Sequence, residues 1–243
     1  MERNELHART VRLIGQDGLD RLQSARVAVL GLGGVGGETA VALCRSGVGF
    51  LRLVDDDVVI PSNLTRQAVA FQDTVGMKKA DAMQHLLSSI DPSVILDPVC
   101  ERITPENVEC FVKNVDFVAD CVDDVNAKVA VAKYCVENGI PLVSSMGAGN
   151  KLDPSRFRVA DLSKTYMDPL AKIMRTRLKA LGIIHLPVVF SDEQPLSVPP
   201  DQEGRHSPAS ISFVPPACGL VIAGYIVRTL LNEVSVPEGE PHA

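Results

Sequence analysis

The sequence predicts an α/β fold with a Rossmann-like, mostly parallel sheet that is covered by helices on both faces. Three observations predict it: an apolar strand at residues 27–30 runs into a glycine-rich turn, strand and helix patterns then alternate as far as residue 144, and 46% of the 243 residues are hydrophobic. Apolar strands that alternate with helices are typical of parallel sheets buried on both sides, and the chain is long enough for one large core.

The elements follow in order along the chain. Residues 6–22 predict one or two short helices, and a helix follows the glycine-rich turn as far as Arg45. Further strands are predicted at residues 51–54, 94–99, 117–119 and 141–144, with helices at 78–90 and 124–137. The pattern changes after Gly149, where the sequence predicts a strand at 156–161, a helix at 169–181, a long mobile loop at 191–210, and a final strand and helix within 210–232.

These elements predict a single domain over residues 1–234, followed by a flexible tail at 235–243. Within the domain we expect an N-terminal helical arm at 1–25 and a nucleotide-binding core at 26–150. Residues 151–234 then form a substrate-binding and closing region that adds an extra C-terminal strand and helix.

Charge, cysteine spacing and hydropathy exclude several classes of protein. The net charge of −6 argues against a protein that coats nucleic acid through bulk charge. The six cysteines form no CxxC pair, which excludes a zinc ribbon or a thioredoxin-type site, and those in apolar runs are expected to be buried.

Residues 1–10 lack the apolar stretch of a secretory signal, and the apolar run 217–231 is short and broken by Arg228. We therefore expect a cytoplasmic protein without membrane insertion.

The glycine-rich turn predicts a nucleotide site. Its glycines let the backbone approach a phosphate, and the following helix offers free N–H groups and the positive end of its dipole; they are Gly31, Gly33, Gly34 and Gly36. Asp55 ends the second strand, where its carboxylate can accept hydrogen bonds from both ribose hydroxyls. Taken alone, these features would fit NAD.

A second polar cluster favours a triphosphate with Mg²⁺ over a redox dinucleotide. Asp57 lies two residues after Asp55 and is a further carboxylate for nucleotide or metal, whereas Asp56 alternates away. Arg66 offers a planar fork for a phosphate, and Asn63 can orient it or bind the phosphate itself. The cluster is completed by Gln67 and by a lysine at a helix start, either Lys79 or Lys78.

Five segments in this order, GLGGVGG, LVDDDVV, SNLTRQ, VGMKK and DCVDD, resemble the adenylating domain of ubiquitin-activating-type enzymes, including the sulfur-carrier activators ThiF and MoeB. The resemblance implies ATP and Mg²⁺ as ligands, selects Lys79 over Lys78, and makes Asp123 the metal ligand. It also implies that Arg9 reaches the nucleotide of a neighbouring subunit, so that the protein is a homodimer. The expected catalytic residues are then Arg9, Arg66, Lys79 and Asp123.

Two departures narrow the family. ThiF and MoeB usually carry two CxxC pairs, which are absent here, and residues 164–169 contain no cysteine for a covalent relay. The distal segments SSMGAGNKLDPSRF, VVFSDEQP and SFVPPACGLVIAG resemble the tRNA threonylcarbamoyladenosine dehydratases. That resemblance implies ATP-dependent cyclisation of N6-threonylcarbamoyladenosine in tRNA through an acyl-adenylate.

Two other functions stay open from sequence alone. The first is adenylation of the C-terminus of a ubiquitin-like sulfur-carrier protein. The second is an NAD-binding oxidoreductase or a nucleotide-sensing module without turnover. The sequence also leaves open whether a monovalent cation or a sulfur-transfer protein binds.

A tRNA substrate requires a basic surface on this acidic chain. Residues 151–179 contain eight Lys or Arg against three Asp, so positive charge is concentrated there. In the predicted helix at 169–181, Leu170, Ile173, Met174, Leu178 and Leu181 share an apolar face opposite the cations. The expected tRNA-binding residues are Lys164, Lys172, Arg175, Arg177 and Lys179.

Overall fold

The fold is an α/β sandwich around one seven-stranded sheet in the order β3-β2-β1-β4-β5-β7-β6. The structure is a computed structural model that describes residues 3–200, 204 and 208–232. The strands are β1 (Arg26–Leu30), β2 (Phe50–Val54), β3 (Ile95–Val99), β4 (Phe117–Asp120), β5 (Leu142–Ser145), β6 (Phe157–Asp161) and β7 (Pro187–Ser191). All neighbouring strands pair in parallel except β6, which runs antiparallel to β7 at one edge.

The helices cover both faces, as expected for parallel strands that are buried on both sides. They are α1 (Arg3–Leu6), α2 (Ala8–Ser24), α3 (Gly36–Ser46), α4 (Lys79–Ile90), α5 (Val108–Val112), α6 (Val125–Glu137), α7 (Pro169–Lys179) and α8 (Val214–Leu230). One core packs α3, α4 and α8 against the sheet, and the other packs α5, α6 and α7 against its opposite face. None of the helices in the described ranges is long and apolar enough to cross a membrane.

The sequence predicted most of the sheet but was wrong about its last strand. No strand lies within 210–232. Instead, Pro215 and Pro216 occupy the first turn of α8. This position suits proline, because the first N–H groups of a helix have no partner within the helix. The last strand along the chain is β7, which the sequence did not predict and which lies in the sheet between β5 and β6.

Helix α7 buries a narrower face than the sequence predicted. Met174 and Leu178 are fully buried as expected, but Ile173 and Leu181 are 45% and 47% exposed. The helix contributes Ala171 to the core in addition, which shifts its packed stripe away from the predicted face.

Two other sequence expectations concern the helix starts and the chain ends. The helix predicted at 124–137 begins where the sequence placed it: Asp124 caps α6, and its carboxylate accepts the N–H of Ala127 at 2.8 Å. The expected boundary at 234, the tail at 235–243 and part of the 191–210 loop lie outside the described residues. The domain limits therefore stay predictions, although β6 and β7 place the expected closing region in the same sheet as the core.

Candidate active site

The carboxyl ends of β1, β2, β4 and β5 open into a cavity of about 830 Å³. It lies where the strand order reverses between β1 and β4, which is the place where doubly wound sheets bind ligands. We call the part lined by the glycine-rich turn and residues 54–127 the nucleotide half. The part lined by residues 145–151, Pro169, Leu170, Pro195 and residues 208–210 is the second half.

The glycine-rich turn forms the floor of the nucleotide half, and two of its glycines are required there by space. Gly31 has a φ of +82°, and a Cβ at this position would lie 2.8 Å from the carbonyl oxygen of Cys121. A Cβ at Gly36 would collide with the carbonyl oxygen of Gly31. Gly36 does not line the cavity, so its position supports the turn, whereas Gly31, Gly33 and Gly34 face the cavity.

Asp55 is held rigidly at the end of β2. Its carboxylate accepts the N–H of Leu32 at 2.6 Å and that of Asp57 at 2.9 Å, and its side chain is only 8% exposed. Burial raises the pKa of Asp55 above its ordinary value, while Lys79 and the two N–H donors oppose the rise. A fixed, partly desolvated acceptor in this place suits ribose hydroxyls.

Lys79 lies between the acidic residues and forms part of the same cluster. Its Nζ is 2.7 Å from Asp57 and 3.8 Å from Asp55, and its side chain is 6% exposed. The carboxylates of Asp55, Asp56 and Asp57 approach within 4.8 Å of one another. Asp56 therefore belongs to the acidic cluster and lines the cavity. The sequence prediction, which placed Asp56 on the side opposite Asp55 and Asp57, was wrong.

Asn63, Arg66 and Gln67 approach the nucleotide half from the segment between β2 and α4. Asn63 is buried and accepts the N–H of Ile60 at 3.1 Å, and Arg66 Nη1 donates to the carbonyl of Ser62 at 2.9 Å. Gln67 is 8% exposed and lines the cavity, and its Oε1 has no hydrogen-bond partner among the residues that the structure describes. Because leaving a buried amide oxygen unpaired costs about 1–3 kcal/mol, this atom suits a donor on a ligand.

Asp123 lies on an exposed part of the cavity wall, three residues beyond the end of β4. Behind it lies Asp120, which is fully buried. Its carboxylate accepts hydrogen bonds from Lys128 Nζ at 3.0 Å, from the Ser144 hydroxyl at 2.6 Å and from the N–H of Val122. This network fixes the backbone on both sides of Cys121. Asp123 is therefore presented from a rigid support, and it could hold Mg²⁺ by one carboxylate together with phosphate oxygens and water.

A second buried ion pair supports the second half. Lys151 Nζ donates to the carbonyl of Gly147 at 2.7 Å and lies 3.4 Å from Asp168, with both side chains almost fully buried. Asp168 also accepts the N–H of Gly147 at 2.9 Å and caps α7 through the N–H of Ala171. The pair thereby ties residues 147–151 to the start of α7.

Other predicted residues lie outside the cavity. Arg9 is exposed, and His7, two residues before it, is buried 3.4 Å from Asp91 at the end of α4. Since α3 and α4 begin at the cavity edge of the sheet and end at the other, Arg9 is anchored far from the cavity of its own chain.

The predicted tRNA-binding residues do not line the cavity either, although α7 begins beside it. Lys164, Lys172, Arg177 and Lys179 are exposed. Arg175 is partly buried, and its guanidinium donates to the carbonyl and the hydroxyl of Thr165.

The cavity is therefore a nucleotide-type site joined to a second compartment, and comparisons with known proteins agree with it. The model of the ThiF family matches residues 7–242. The chain belongs to the ThiF family.

Within the ThiF family, the similar relatives point to one group. A tRNA threonylcarbamoyladenosine dehydratase of Bacillus subtilis is 40% identical over 96% of this chain and 95% of that protein. A solved structure of the E. coli tRNA N6-threonylcarbamoyladenosine dehydratase in complex with ATP has a TM-score of 0.88 at 33% identity, covering 95% of each chain. The ThiS adenylyltransferase of E. coli is 34% identical over 57% of this chain and 56% of that protein.

The ThiF-family site in this chain contains no activated thiol. All six cysteines are free, and Cys121 is the one that lines the cavity. Burial raises the pKa of Cys121 to about 12, so its thiol stays protonated near neutral pH. Cys218 is fully buried and its pKa is also well above the ordinary value, which agrees with the packing role expected for it. Cys44 and Cys135 are also buried, as expected for cysteines in apolar runs, whereas Cys100 and Cys110 are exposed.

Sequence reasoning missed most of the second half. Many of its residues are small and offer no functional side chain that would mark a site in the sequence, namely Gly147, Ala148, Gly149, Pro208 and Ala209. Arg102 was also missed: it lines the nucleotide half, is 71% exposed, and lies 3.7 Å from Asp124. The available signal for Arg102 was its position just after β3, at the same edge of the sheet.

Proposed function

We propose that this protein uses ATP to dehydrate N6-threonylcarbamoyladenosine in tRNA to its cyclic form. The observation that carries the proposal is a single cavity in which an adenylating site continues into a compartment without a reactive thiol. The similarity to tRNA threonylcarbamoyladenosine dehydratases along nearly the whole chain supports the same substrate.

The absence of a thiol nucleophile suits an intramolecular reaction. The threonine carboxylate attacks the α-phosphorus of ATP, and pyrophosphate leaves. The ureido group of the same substrate then attacks the activated carbonyl, the ring closes, and AMP leaves with the carboxylate oxygen. Both reacting groups belong to one molecule, so their high effective concentration replaces a covalent intermediate on the protein.

We assign roles in the nucleotide half as follows. Asp55 accepts hydrogen bonds from the ribose hydroxyls, and the backbone of the Gly31–Gly34 turn binds phosphate. Arg66, oriented with Asn63, binds phosphate by its guanidinium, and Lys79 exchanges part of its contact with Asp57 for the phosphates. These cations stabilise the negative charge that develops as pyrophosphate leaves. Mg²⁺, when held by Asp123, would neutralise phosphate charge further.

In this proposal Arg9 contributes to the nucleotide site of a second copy of the chain and not to that of its own chain. The buried contact between His7 and Asp91 anchors Arg9 at the edge of the sheet opposite its own cavity, so the nucleotide it reaches belongs to a second copy of the chain. A homodimer with shared sites follows. Mixing an Arg9→Ala chain with a chain carrying Asp123→Ala should restore part of the activity, because each mixed dimer then contains one intact site.

The exposed cations of α7 and of the segment before it supply the basic surface that tRNA requires. Lys151 is buried and paired with Asp168, whereas Arg156 and Arg158 share Asp192, which neutralises one of their two charges. Lys164, Lys172, Arg177 and Lys179 remain exposed. A cytoplasmic location follows from a tRNA substrate, and a monovalent cation or a sulfur-transfer protein is an optional further partner in this proposal.

The proposal is tested with purified protein, ATP, Mg²⁺ and tRNA that carries threonylcarbamoyladenosine. Mass spectrometry of the digested tRNA should show the loss of one water from that nucleoside, with formation of AMP and pyrophosphate. Reactions without ATP and with unmodified tRNA are the controls. Protein that binds ATP but leaves the mass of the nucleoside unchanged would contradict the proposal.

A second candidate function is adenylation of a ubiquitin-like sulfur-carrier protein. The similarity to the ThiS adenylyltransferase over somewhat more than half of the chain favours it. In that case AMP and pyrophosphate should form only with a small protein that ends in Gly-Gly, and modified tRNA should give neither product.

A further inference from the structure

The segment between β6 and α7 displays two neighbouring apolar side chains to solvent. Tyr166 and Met167 are 50% and 58% exposed, while Thr165 before them and Asp168 after them are buried. Met167 has a φ of +60°, a left-handed conformation that long side chains rarely adopt. The buried flanking residues hold this turn, so both apolar side chains stay directed outward at a cost in backbone energy.

Contacts on both sides fix the Tyr166 ring. Its hydroxyl donates to Asp192 Oδ2 at 3.0 Å and accepts from Arg158 Nη2 at 2.9 Å. The ring packs edge-on against buried Phe190, with the ring centres 5.6 Å apart. A half-exposed ring that is already fixed loses little conformational entropy when a flat partner stacks on it.

The turn that carries this ring leads directly into the second half of the cavity. Asp168, two residues after Tyr166, accepts the N–H of Gly147 at 2.9 Å, and Gly147 and Pro169 both line the cavity. If a nucleoside of tRNA occupied the second half, the adjacent nucleotides of the tRNA would therefore lie close to Tyr166 and Met167.

Positive charge surrounds the ring. The Arg158 guanidinium carbon lies 5.7 Å from the centre of the Tyr166 ring, and Arg156 contacts the same Asp192. Asp192 neutralises one of these two charges, and exposed Lys164 and Lys172 flank the turn in sequence. Exposed aromatic rings among cations are typical of surfaces that bind unpaired nucleotides, where bases stack and the cations contact phosphate.

We propose that Tyr166 and Met167 form a stacking platform for an unpaired tRNA base next to the modified adenosine. This inference rests on the proposed function, since it requires that tRNA enters the second half of the cavity. The platform would select single-stranded RNA around the target nucleoside and would not contact ATP.

The chain contains no tryptophan, which provides a direct test. Tyr166→Trp introduces a single tryptophan on the platform, and the tryptophan emission should be quenched when modified tRNA is added. Phe71→Trp is the matched control, because Phe71 is 53% exposed and follows Ala70, which packs in the core on the opposite face of the sheet. Equal quenching of both variants, or none at Tyr166→Trp, would overturn the platform.

Kinetics give an independent readout. Tyr166→Ala should raise the KM for modified tRNA about tenfold, the size expected for the loss of one stacked base, with kcat within about twofold. Tyr166→Phe retains the ring and should keep the KM near that of the unchanged protein, and the affinity for ATP should be unchanged in both variants. Met167→Ala, which leaves the Tyr166 contacts in place, should raise the KM by a smaller factor.

The outcomes separate this inference from the proposed function. If the unchanged protein dehydrates modified tRNA but Tyr166→Ala and Met167→Ala leave the KM unchanged, the platform is wrong and the proposed function stands. If the unchanged protein gives no loss of water from tRNA, the proposed function itself fails. Quenching of Tyr166→Trp by a Gly-Gly-ended carrier protein and not by tRNA would show that the surface binds protein, which also overturns the platform.

Discussion

The two halves of the cavity are built in different ways. The nucleotide half depends on short segments at the ends of neighbouring strands, which supply its charged residues. The second half is made largely of small residues drawn from the β5 end, the start of α7 and the segment before α8. Each half has its own buried support, Asp120 with Lys128 in the first and Asp168 with Lys151 in the second. Recognition of the nucleotide is thus local in sequence, whereas the shape of the second compartment depends on distant contacts.

The largest effects should come from breaking the two buried ion pairs. Lys128→Met and Lys151→Met each leave a buried aspartate without its cation, which should lower the free energy of unfolding by about 3–5 kcal/mol. Lys133→Met is the control, because Lys133 pairs with Glu137 on the surface and its loss should cost less than about 0.5 kcal/mol. Urea denaturation measures all three changes.

The same variants separate the two halves. Saturating ATP with Mg²⁺ should still stabilise the Lys151→Met protein, because the nucleotide half does not depend on that pair. The stabilisation should shrink in Lys128→Met, where the support behind Asp123 is lost. Equal stabilisation of both variants by ATP would show that the two supports do not serve separate halves.

Asp123→Ala should abolish most turnover while the protein stays folded. Loss of a metal ligand at the phosphates removes several kcal/mol of transition-state stabilisation, so kcat/KM for modified tRNA should fall on the order of 10²–10³-fold. Asp56→Ala, which removes an exposed carboxylate of the same cavity wall, is the control and should retain most activity. Comparable losses in both variants would show that the metal is held by the acidic cluster after β2.

Removing three exposed cations should weaken tRNA binding by a moderate factor. With Lys164, Lys172 and Lys179 changed together to Ala, the slope of log affinity against log salt should become shallower by about 2–3, if each contacts one phosphate. ATP affinity should be unchanged, because none of the three lines the cavity. An unchanged salt slope would contradict the assignment of this surface.

Asp55→Asn should remove a small pH dependence of stability. Because the pKa of Asp55 is raised in the folded protein, unfolding releases a proton, and the free energy of unfolding falls as pH rises from below the unfolded value of 3.8 to above the folded value. The Asn variant does not ionise, so its stability should lack this fall, and it should bind ATP more weakly because its amide nitrogen cannot accept the N–H that one carboxylate oxygen accepts. Urea denaturation between pH 3 and pH 7 measures the difference, and equal pH dependence in both proteins would contradict it.

The sequence predicted many of the residues that line the nucleotide half, because they are of recognisable types at fixed positions. Asp55, Lys79 and Asp123 follow strand ends or begin a helix, and in a parallel sheet the carboxyl ends of the strands meet at one edge. Charge alone was less informative, since Arg175 and Lys151 were counted among the cations of a basic surface, and the structure pairs both internally.

The sequence by itself determined the fold class, the positions of the first five strands along the chain, and many of the residues that line the nucleotide half, because periodicity and local motifs encode them. Only the tertiary structure decided that β7 lies between β5 and β6, that Lys151 pairs with Asp168, and that Tyr166 lies exposed in the turn before α7. Asp168 reaches back 21 residues to Gly147, and Tyr166 is fixed by Asp192, 26 residues further on. Such contacts depend on packing between elements, which no local pattern of residue types specifies.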